Sequence, residues 1–321
     1  MTTPPTTEPV RAVGLSAFGE PEVLAAVERD VPALAPTDVR IRVRAAAVNP
    51  TDLVLRAGAR AQSLAPFPPP YVPGMDAAGT VEAVGDAVTR LAPGDRVMAV
   101  VLPWRPGGGA QTAVLVAPEA SVARVPPSVS IEEAATLPMN GLTAIEALDV
   151  IDVPAGGTLA ITGGTGWLAT LAIVLAKARG LRVIADAPPD EHQRVRAAGA
   201  DAVVERGDGV AQRIRAIAPD GVDAVLDTAL VGVPVLGAVR DGGAWAVVRN
   251  QQDDTERGIV RHNVSVAGRL SDTDALEQIA ALAGSGAIPI EIAGTYPPEQ
   301  AAEAHRRQAT GGVRGRLLIV F

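Results

Sequence analysis

The chain contains no cysteine and only three histidines among its 321 residues. Without cysteine there can be no disulfide, thiolate nucleophile, cysteine-ligated zinc or iron–sulfur cluster. The histidines His192, His262 and His305 are scattered along the sequence, so they offer no local metal-ligand spacing. The sequence also lacks a G-x-S-x-G motif, so the nucleophile elbow of a serine hydrolase is not indicated.

Basic residues are in deficit, with 28 Lys and Arg against 36 Asp and Glu and a net charge of −8. This balance argues against nucleic acid as a partner, because phosphate-backbone binding needs a basic face. The composition is 48% hydrophobic and 20% charged without a long biased tract, which is typical of a soluble globular protein. The length predicts two domains, each large enough for a core.

Neither a secretory signal nor a membrane span is expected. Met1 to Pro9 are rich in Thr and Pro and have no apolar core. Val153 to Ala176 carries no charge, but glycines interrupt its first half and only the second half has the continuity of a helix. A buried strand, a glycine turn and a buried helix explain this segment better than a membrane span. We therefore expect no membrane association and a cytoplasmic location.

The first third of the chain predicts mostly β structure. In Val39 to Arg44 apolar and basic residues alternate, as in a strand with one buried and one solvated face. Prolines and glycines punctuate short apolar segments such as Thr80–Val84 and Arg96–Val101.

The pattern changes near residue 130, where Ser130 and Glu133 form a capping-box signature ahead of helical segments. Apolar strands and helices then alternate, which predicts a doubly wound parallel sheet of six strands. The predicted strands are Thr158–Thr162, Leu181–Asp186, Ala202–Val204, Val222–Leu226, Ala244–Val248 and Val264–Ala267, and the predicted helices are Trp167–Arg179, Asp190–Ala198, Val210–Ala218 and Val233–Val239.

The C-terminal segment predicts two more helices and two more strands outside this alternation. They are helix Asp274–Ala283, strand Ile288–Glu291, helix Pro298–Gln308 and strand Arg316–Val320. These elements could return to the β-rich first domain and make that domain discontinuous.

A dinucleotide-binding motif follows the first strand of the predicted parallel sheet. Gly164, Gly166 and Ala169 satisfy G-x-G-x-x-G/A between a strand and a helix. We assign Gly164 to the tight turn, Gly166 to close approach of a pyrophosphate and Ala169 to helix–strand packing, with the helix N-terminus facing the anion. Trp167 is unusual in this turn, where its indole could stack on a ligand, obstruct it or pack outward under the neighbouring domain.

Two residues give opposite indications about the cofactor. Asp186 stands 22 residues after Gly164, near the offset of an acid that binds the ribose 2′-hydroxyl, which favours NADH. Arg206 follows the third strand of the parallel sheet and could bind a 2′-phosphate, which favours NADPH.

The whole chain from about residue 10 resembles the zinc-free quinone oxidoreductase-like (zeta-crystallin) group of the medium-chain dehydrogenase/reductase superfamily. The matching segments are Val43–Asp52, Tyr71–Val81, Gly94–Val97, Ala134–Ala144, Leu175–Ala178, Ala198–Asp201 and Gly315–Leu317. The resemblance implies a GroES-like catalytic domain over 1–124 and 269–321 and a Rossmann-like cofactor domain over 125–268, with the active site in the cleft. It also implies NADPH-dependent reduction of quinones or activated enones by a homodimer joined through the last strand of the cofactor domain.

The resemblance assigns roles to individual positions. Asn49 and Thr143 would lie near the nicotinamide, and the segment from Gly164 through Thr165, Gly166, Trp167, Leu168 and Ala169 would hold the pyrophosphate. Arg206 would lie on the adenosine 2′ side, and Val247, Val248, Arg269 and Leu270 would border the nicotinamide ribose. The zinc-ligand positions of the family hold Asn49 or its neighbours and Gly74-Met75-Asp76 here, so no metal is expected.

Three positions depart from the family pattern. The turn reads Gly166-Trp167-Leu168-Ala169 where Gly-Gly-Val-Gly is usual, Val54 replaces a common tyrosine, and Glu191 replaces a lysine associated with the 2′-phosphate. Glu191 and Asp186 together favour NADH, against the family's NADPH.

Without metal or thiol, the predicted chemistry is direct hydride transfer to an already electrophilic acceptor, a quinone or an α,β-unsaturated carbonyl. Its proton would come from water or from Thr143, whose hydroxyl could equally bond its own helix. We interpret Asp52 and Asp76 as structural hydrogen-bonding groups and His262 and His305 as surface residues. The alternatives are an enoyl or tailoring reductase of a biosynthetic pathway and a redox-silent binding or isomerising relative.

Overall fold

The computed structural model describes residues 8–249 and 252–321. Within these residues the strands are β1 (Val10–Leu15), β2 (Leu24–Arg29), β3 (Asp38–Val48), β4 (Asp76–Val84), β5 (Arg96–Val100), β6 (Val114–Pro118), β7 (Val122–Arg124), β8 (Thr158–Thr162), β9 (Arg182–Ala187), β10 (Ala202–Glu205), β11 (Val222–Asp227), β12 (Val239–Val247), β13 (Val260–Asn263), β14 (Ile292–Tyr296) and β15 (Arg316–Val320). The α-helices are α1 (Pro50–Arg56), α2 (Ala61–Leu64), α3 (Ile131–Ala134), α4 (Pro138–Ile151), α5 (Trp167–Ala178), α6 (His192–Ala197), α7 (Val210–Ile217), α8 (Thr273–Gly284) and α9 (Ala301–Ala309).

The chain packs into two compact units. Unit 1 comprises the residues up to Met139 together with Leu270–Ser285 and Ile290–Phe321, and unit 2 comprises Asn140–Arg269 and Gly286–Pro289. Unit 2 holds a six-stranded sheet in the order β10-β9-β8-β11-β12-β13, with every neighbouring pair parallel. The predicted doubly wound sheet of six strands is therefore confirmed. Its strand order reverses between β8 and β11, and such a switch point is where open parallel sheets bind ligands.

Unit 1 is built on a seven-stranded mixed sheet, in which β14-β15-β3-β4-β5-β7 form the main order and β6 also pairs with β3. The C-terminal strand β15 lies antiparallel to β3, so the end of the chain completes a sheet begun near its start. Val39, Ile41 and Val43 of β3 are buried while Arg42 and Arg44 are exposed. The predicted alternation with a solvated arginine face is confirmed.

The long uncharged segment folds as predicted into buried β8, a glycine turn and buried α5. Nine of the twelve residues of α5 are buried, because the helix is apolar on nearly all sides. Among the described residues, no helix has the length and apolarity needed to cross a membrane. The capping box that opens α3 is also confirmed, since Ser130 Oγ accepts the Glu133 amide and Glu133 accepts the Ser130 amide.

Two predicted strands were wrong in position. The last strand of unit 2 is Val260–Asn263 rather than Val264–Ala267, because pairing with β12 ends where the Val264 amide donates to the Val247 carbonyl. Residues Val266–Arg269 form a 3₁₀ turn instead. In the C-terminal segment, β14 begins at Ile292 rather than Ile288, since Pro289 cannot donate to a strand ladder.

The predicted helix Val233–Val239 is a 3₁₀ helix ending at Ala238, and β12 begins directly after it. The surface placement of His305 was also wrong, since its exposed fraction is 0%. Ala301, Ala304 and His305 share the buried face of α9, at the i, i+3, i+4 spacing of an amphipathic helix. His262 is half-buried.

Candidate active site

The glycine turn, Gly163–Gly166, joins the end of β8 to the first residue of α5. Gly163 has φ +67°, in the left-handed region that glycine tolerates best. A β-carbon on Gly164 would lie 2.7 Å from the carbonyl oxygen of Asp186. The tight turn therefore depends on Gly163, which corrects the sequence assignment, while Gly164 is needed because the turn packs against the backbone of β9.

Asp186 holds this turn in place. Its carboxylate accepts hydrogen bonds from the amides of Gly163 and Gly164, and its side chain is buried. Burial raises the pKa of Asp186, against the opposing effect of the two amide donors and the nearby Arg206. The carboxylate is thus a fixed acceptor within the turn. Arg206, which is exposed after β10, is the cation whose charge lowers the pKa of this carboxyl.

A second buried carboxylate organises the other side of the switch point. Asp227, at the end of β11, accepts the Thr162 hydroxyl at 2.6 Å and the amides of Val231 and Gly232 at 3.0 and 2.8 Å. Thr162 in turn accepts the amide of Ala229. The loops that follow β8 and β11 are therefore tied to each other, although no sequence motif marks Thr162 and Asp227 as partners.

The amino end of α5 has no side-chain cap. Gly166 is its N-cap residue, with φ −75° and ψ 152°, and no side chain bonds the first turn from that position. The first amides of any helix lack acceptors within the helix, and their partial positive charge favours an anion. A diphosphate fits this donor set.

In unit 1 five side chains form a buried group that we call the polar cluster: Asn49, Asp52, Asp76, Gln111 and Arg316. Asn49 directly follows β3 and is the N-cap of α1, where its backbone amide donates to Asp52 at 2.8 Å in a capping box. The side-chain amide of Asn49 donates to Asp76 Oδ1 at 2.8 Å. Asp52 and Asp76, which the sequence did not mark as a pair, thus both bond Asn49.

The remaining contacts fix the cluster to three further segments. Asp52 also accepts the Gly74 amide at 2.9 Å and Asp76 accepts the Met139 amide at 3.1 Å. Gln111 Nε2 donates to the Ala47 carbonyl at 3.3 Å. The structural hydrogen-bonding role predicted for both carboxylates is confirmed.

Burial dominates the electrostatics of the polar cluster. It raises the pKa of Asp52 to about 7 and that of Asp76 to about 6, while Arg316 acts in the opposite direction on both. Burial likewise lowers the pKa of Arg316 to about 10, opposed by the two carboxylates. The polar cluster is therefore a buried group of ionisable side chains at the end of β3, in which burial favours the neutral forms and the opposite charges partly offset that effect.

The other predicted site residues are distributed as follows. In the glycine turn and α5, Thr165, Trp167 and Ala169 are buried and Leu168 is half-buried. Thr143 is buried on α4. Val247 ends β12 at the carboxyl edge of the parallel sheet, followed by Val248, and Arg269 makes ion pairs with Glu146 and Asp149 of α4. Leu270 is half-buried.

No group of three or more His, Asp or Glu side chains that could hold a metal ion occurs in the described part of the chain. Asn49 and Met75 occupy positions where the resemblance places zinc ligands in other members of the family. Met75 is 2% exposed, and its sulfur accepts the Thr51 hydroxyl at 3.3 Å.

Comparison with known proteins gives matches along nearly the whole chain. The alcohol dehydrogenase GroES-like domain family matches residues 35–127, and the zinc-binding dehydrogenase family matches residues 198–319. The quinone oxidoreductase of Sus scrofa is 31% identical over 97% of this chain and 97% of its own length.

The chain belongs to the quinone oxidoreductase-like group of the medium-chain dehydrogenase/reductase superfamily. A trans-enoyl reductase, tazE of Aspergillus terreus, is 33% identical over 70% of this chain and 80% of its own length. The quinone oxidoreductase of Pseudomonas syringae superposes with a TM-score of 0.84 and 25% identity, covering 97% of this chain and all of the other.

Membership in this group makes the protein an NAD(P)H-dependent oxidoreductase. Sequence reasoning identified the glycine turn because its residues are adjacent in the chain. It missed Asp227, Gln111 and Arg316, which no local motif marks. Their partners Thr162, Ala47 and Asp76 lie 65, 64 and 240 positions away along the chain. It identified Asp52 and Asp76 individually but did not predict that both bond Asn49.

Proposed function

We propose that the protein reduces a quinone or an α,β-unsaturated carbonyl with hydride from NAD(P)H, without a metal ion. A bound nicotinamide would supply the hydride. The observation that carries the proposal is the uncapped amino end of α5, presented by an anchored glycine turn at the switch point of the parallel sheet. The similarity to quinone oxidoreductases supports the acceptor class.

The glycine turn and the first turn of α5 would hold the diphosphate of the cofactor. Thr165 through Ala169 contribute backbone there, and Gly166 adds no side chain that would cover it. Asp186 and Asp227 keep the flanking loops fixed, so little reorganisation is required when the anion binds. Val247 and Val248 would border the nicotinamide ribose, together with the backbone of Arg269 and Leu270.

Asn49 and Thr143 are the residues that we propose near the nicotinamide. The Asn49 side-chain amide is held by Asp76, so its orientation is set before any ligand binds. A carboxamide does not act as a general acid near neutral pH, which leaves Thr143 or water to deliver the proton that accompanies hydride transfer.

For the choice between NADPH and NADH, we propose that Asp186 and Arg206 together set the preference. The negative charge of Asp186 opposes a 2′-phosphate, and the exposed guanidinium of Arg206 attracts one. Glu191, the other acid that favours NADH, has Arg194 at 3.9 Å, which reduces its effect.

The second candidate is an enoyl or tailoring reductase of a biosynthetic pathway, favoured by the similarity to a trans-enoyl reductase. Both candidates transfer hydride to a conjugated carbonyl. They differ in the acceptor, which is a quinone or a simple enone for the first candidate and an enoyl ester or thioester for the second.

The test has two steps. Fluorescence titration of the purified protein with NADPH and NADH measures cofactor binding, and consumption of the reduced nicotinamide is then followed by absorbance with matched panels of quinones, simple enones and enoyl thioesters. Turnover that is fastest with quinones or simple enones supports the first candidate, and turnover confined to enoyl thioesters supports the second. Absence of binding by both cofactors to a folded protein would reject both and support a redox-silent relative.

A homodimer joined through β13 is the assembly that we propose. β13 is an edge strand of the six-stranded sheet, and the side chain of Val260 in it is 53% exposed. The edge of a sheet is a template for pairing with a second copy, and an exposed valine on it would be covered by such pairing. Val260→Asp should lower the molar mass measured by light scattering from that of a dimer to that of a monomer, and an unchanged mass would exclude this interface.

A further inference from the structure

Unit 1 contains a cavity of about 640 Å³ that no residue of the polar cluster or the glycine turn lines. Its walls come from the end of β2, from residues 67–72 and from residues 103–108. The volume lies in the range of pockets that bind small organic molecules, roughly 300–1,000 Å³. We call it the arginine cavity, because Arg29 and Arg105 line it.

Adjacent carbonyls hold these two arginines side by side. Arg29 Nη1 donates to the Gly107 carbonyl at 2.5 Å, and Arg105 Nε donates to the Gly108 carbonyl at 3.1 Å. Gly107 and Gly108 have φ of +87° and +65°, which bends the backbone around both guanidinium groups. Arg105 also donates to the Val116 carbonyl, so its position is fixed at both ends.

Within residues 8–249 and 252–321, the two positive charges have no bonded counterion. Among the described residues, no carboxylate lies within 4.0 Å of either guanidinium. Asp30 acts on Arg29 and Asp38 on Arg105 only from a distance, and the proximity of the two arginines opposes the charge on Arg105. A guanidinium carries five N–H donors, and neither Arg29 Nη2 nor Arg105 Nη1 donates to a described residue.

The rest of the cavity wall is mainly apolar. Phe67 and Tyr71 line it with the prolines of the same segment. The Tyr71 ring is stacked on Phe18, with centroids 5.6 Å apart and planes 5° from parallel, so its orientation is fixed. A flat apolar wall next to two partly satisfied cations suits a molecule with an aromatic body and an anionic group.

We propose that the arginine cavity is a binding site for an organic anion, with a carboxylate or phosphate between Arg29 and Arg105 and a planar apolar body against Phe67 and Tyr71. Glu28 and Asp30 also line the cavity, but they would oppose an anion only weakly, since both are exposed to solvent. The site is separate from the proposed nicotinamide chemistry and does not depend on it.

Isothermal titration calorimetry with naphthoate, naphthyl phosphate and neutral naphthamide tests the charge requirement on the wild-type protein. At least one of the two anions should bind about tenfold or more tightly than the amide, since a charge-assisted pair contributes more than about 1.4 kcal/mol. The better of the two anions identifies the group that the site prefers. Equal affinity for the amide and both anions would overturn the proposal.

Variants locate the binding. Arg29→Gln should weaken anion binding about tenfold and leave amide binding unchanged. Arg124→Gln is the matched control, because Arg124 is 59% exposed, pairs with Asp95 and does not line the cavity. Arg105→Gln adds a second measurement, with circular dichroism to verify folding, since Arg105 also holds two carbonyls. Anion affinity that is the same in Arg29→Gln and Arg124→Gln would place the ligand elsewhere and reject the site.

Discussion

The glycine turn of unit 2 and the polar cluster of unit 1 are both organised by a buried carboxylate, but they expose different groups. In each, a buried carboxylate accepts two backbone amides: Asp186 accepts those of Gly163 and Gly164, and Asp52 accepts those of Asn49 and Gly74. The turn presents backbone to a ligand, and its helix end has no side-chain cap. The cluster presents side chains to one another, and Asn49 is fully buried within it.

The two sites differ in how many of their hydrogen-bonding groups have partners within the protein. The first amides of α5 have no acceptor within the helix, so an anion completes their hydrogen bonding. In the polar cluster, hydrogen bonds within the protein already satisfy Asn49 and most of the carboxylate oxygens, so its contribution is to fix the end of β3 and the start of α1. We therefore expect a bound anion to stabilise the turn, whereas the cluster is stabilised by folding alone.

The largest effect should come from Asp52→Ala in the polar cluster. It leaves the buried amides of Asn49 and Gly74 without an acceptor and removes the capping box of α1, so unfolding free energy should fall by about 3 kcal/mol or more. Urea unfolding measures this loss. Asp52→Asn keeps one acceptor oxygen and should lose less, and equal losses for the two variants would show that these hydrogen bonds are not the cause.

Gly164→Ala should come next, and it acts on the backbone site. The added β-carbon would lie 2.7 Å from the Asp186 carbonyl, so the turn must shift at a cost of about 1–3 kcal/mol, with weaker cofactor binding. Fluorescence titration and urea unfolding measure the two effects. Gly268→Ala is the control for stability, since nothing lies within 4 Å of its β-carbon position. Wild-type cofactor affinity in Gly164→Ala would contradict the proposed role of the turn.

Asp186→Asn separates the two properties of that carboxylate. Asn retains an oxygen for the Gly163 and Gly164 amides but removes the negative charge, so kcat/KM should shift several-fold from NADH toward NADPH, worth about 1 kcal/mol. Asp186→Ser loses the acceptor position as well and should lower activity with both cofactors. If the ratio of kcat/KM for NADPH to that for NADH were unchanged in both variants, Asp186 would anchor the glycine turn but would not select the cofactor.

The smallest effect concerns pH. The pKa values of Asp52 and Asp76 in the folded protein, about 7 and about 6, lie above the ordinary value of 3.8 for an aspartate, so between about pH 4 and 7 the folded state binds more protons than the unfolded state. Their contribution to stability therefore falls as pH rises from about 4 to 7. Arg316→Met removes the opposing cation and should steepen this fall by roughly 1 kcal/mol.

Urea unfolding at intervals from pH 5 to pH 8 measures the slope. Arg124→Met is the matched control, because Arg124 is an exposed arginine that lies outside the polar cluster. A slope in Arg316→Met equal to that of the control would mean that Arg316 does not act on the two carboxylates. His305 contributes with the opposite sign. Burial lowers its pKa to about 3, so as pH falls below about 6.5 the unfolded chain binds a proton that the folded protein does not, and stability falls. His305 is present in every variant compared.

Local pattern sufficed where the physical cause is itself local. Alternation placed Val39, Ile41 and Val43 inside, and the uncharged run after residue 153 resolved into β8, the turn and α5. Prediction was wrong for β13 and β14, where pairing with a neighbouring strand, rather than apolar content, decides which residues form the strand. His305 was misplaced because a polar side chain on an alanine-rich helix face was judged by its type and not by its spacing.

The sequence by itself determined the family, the six-stranded parallel sheet and the position of the glycine turn, because each depends on residues close together in the chain or on the order of many short segments. Tertiary structure alone decided that Asp186 bonds the turn, that Asn49 joins Asp52 to Asp76 beside Arg316, and that Arg29 meets Arg105. Those contacts link residues far apart in sequence, and their energies depend on burial, which exists only once the sheets have formed.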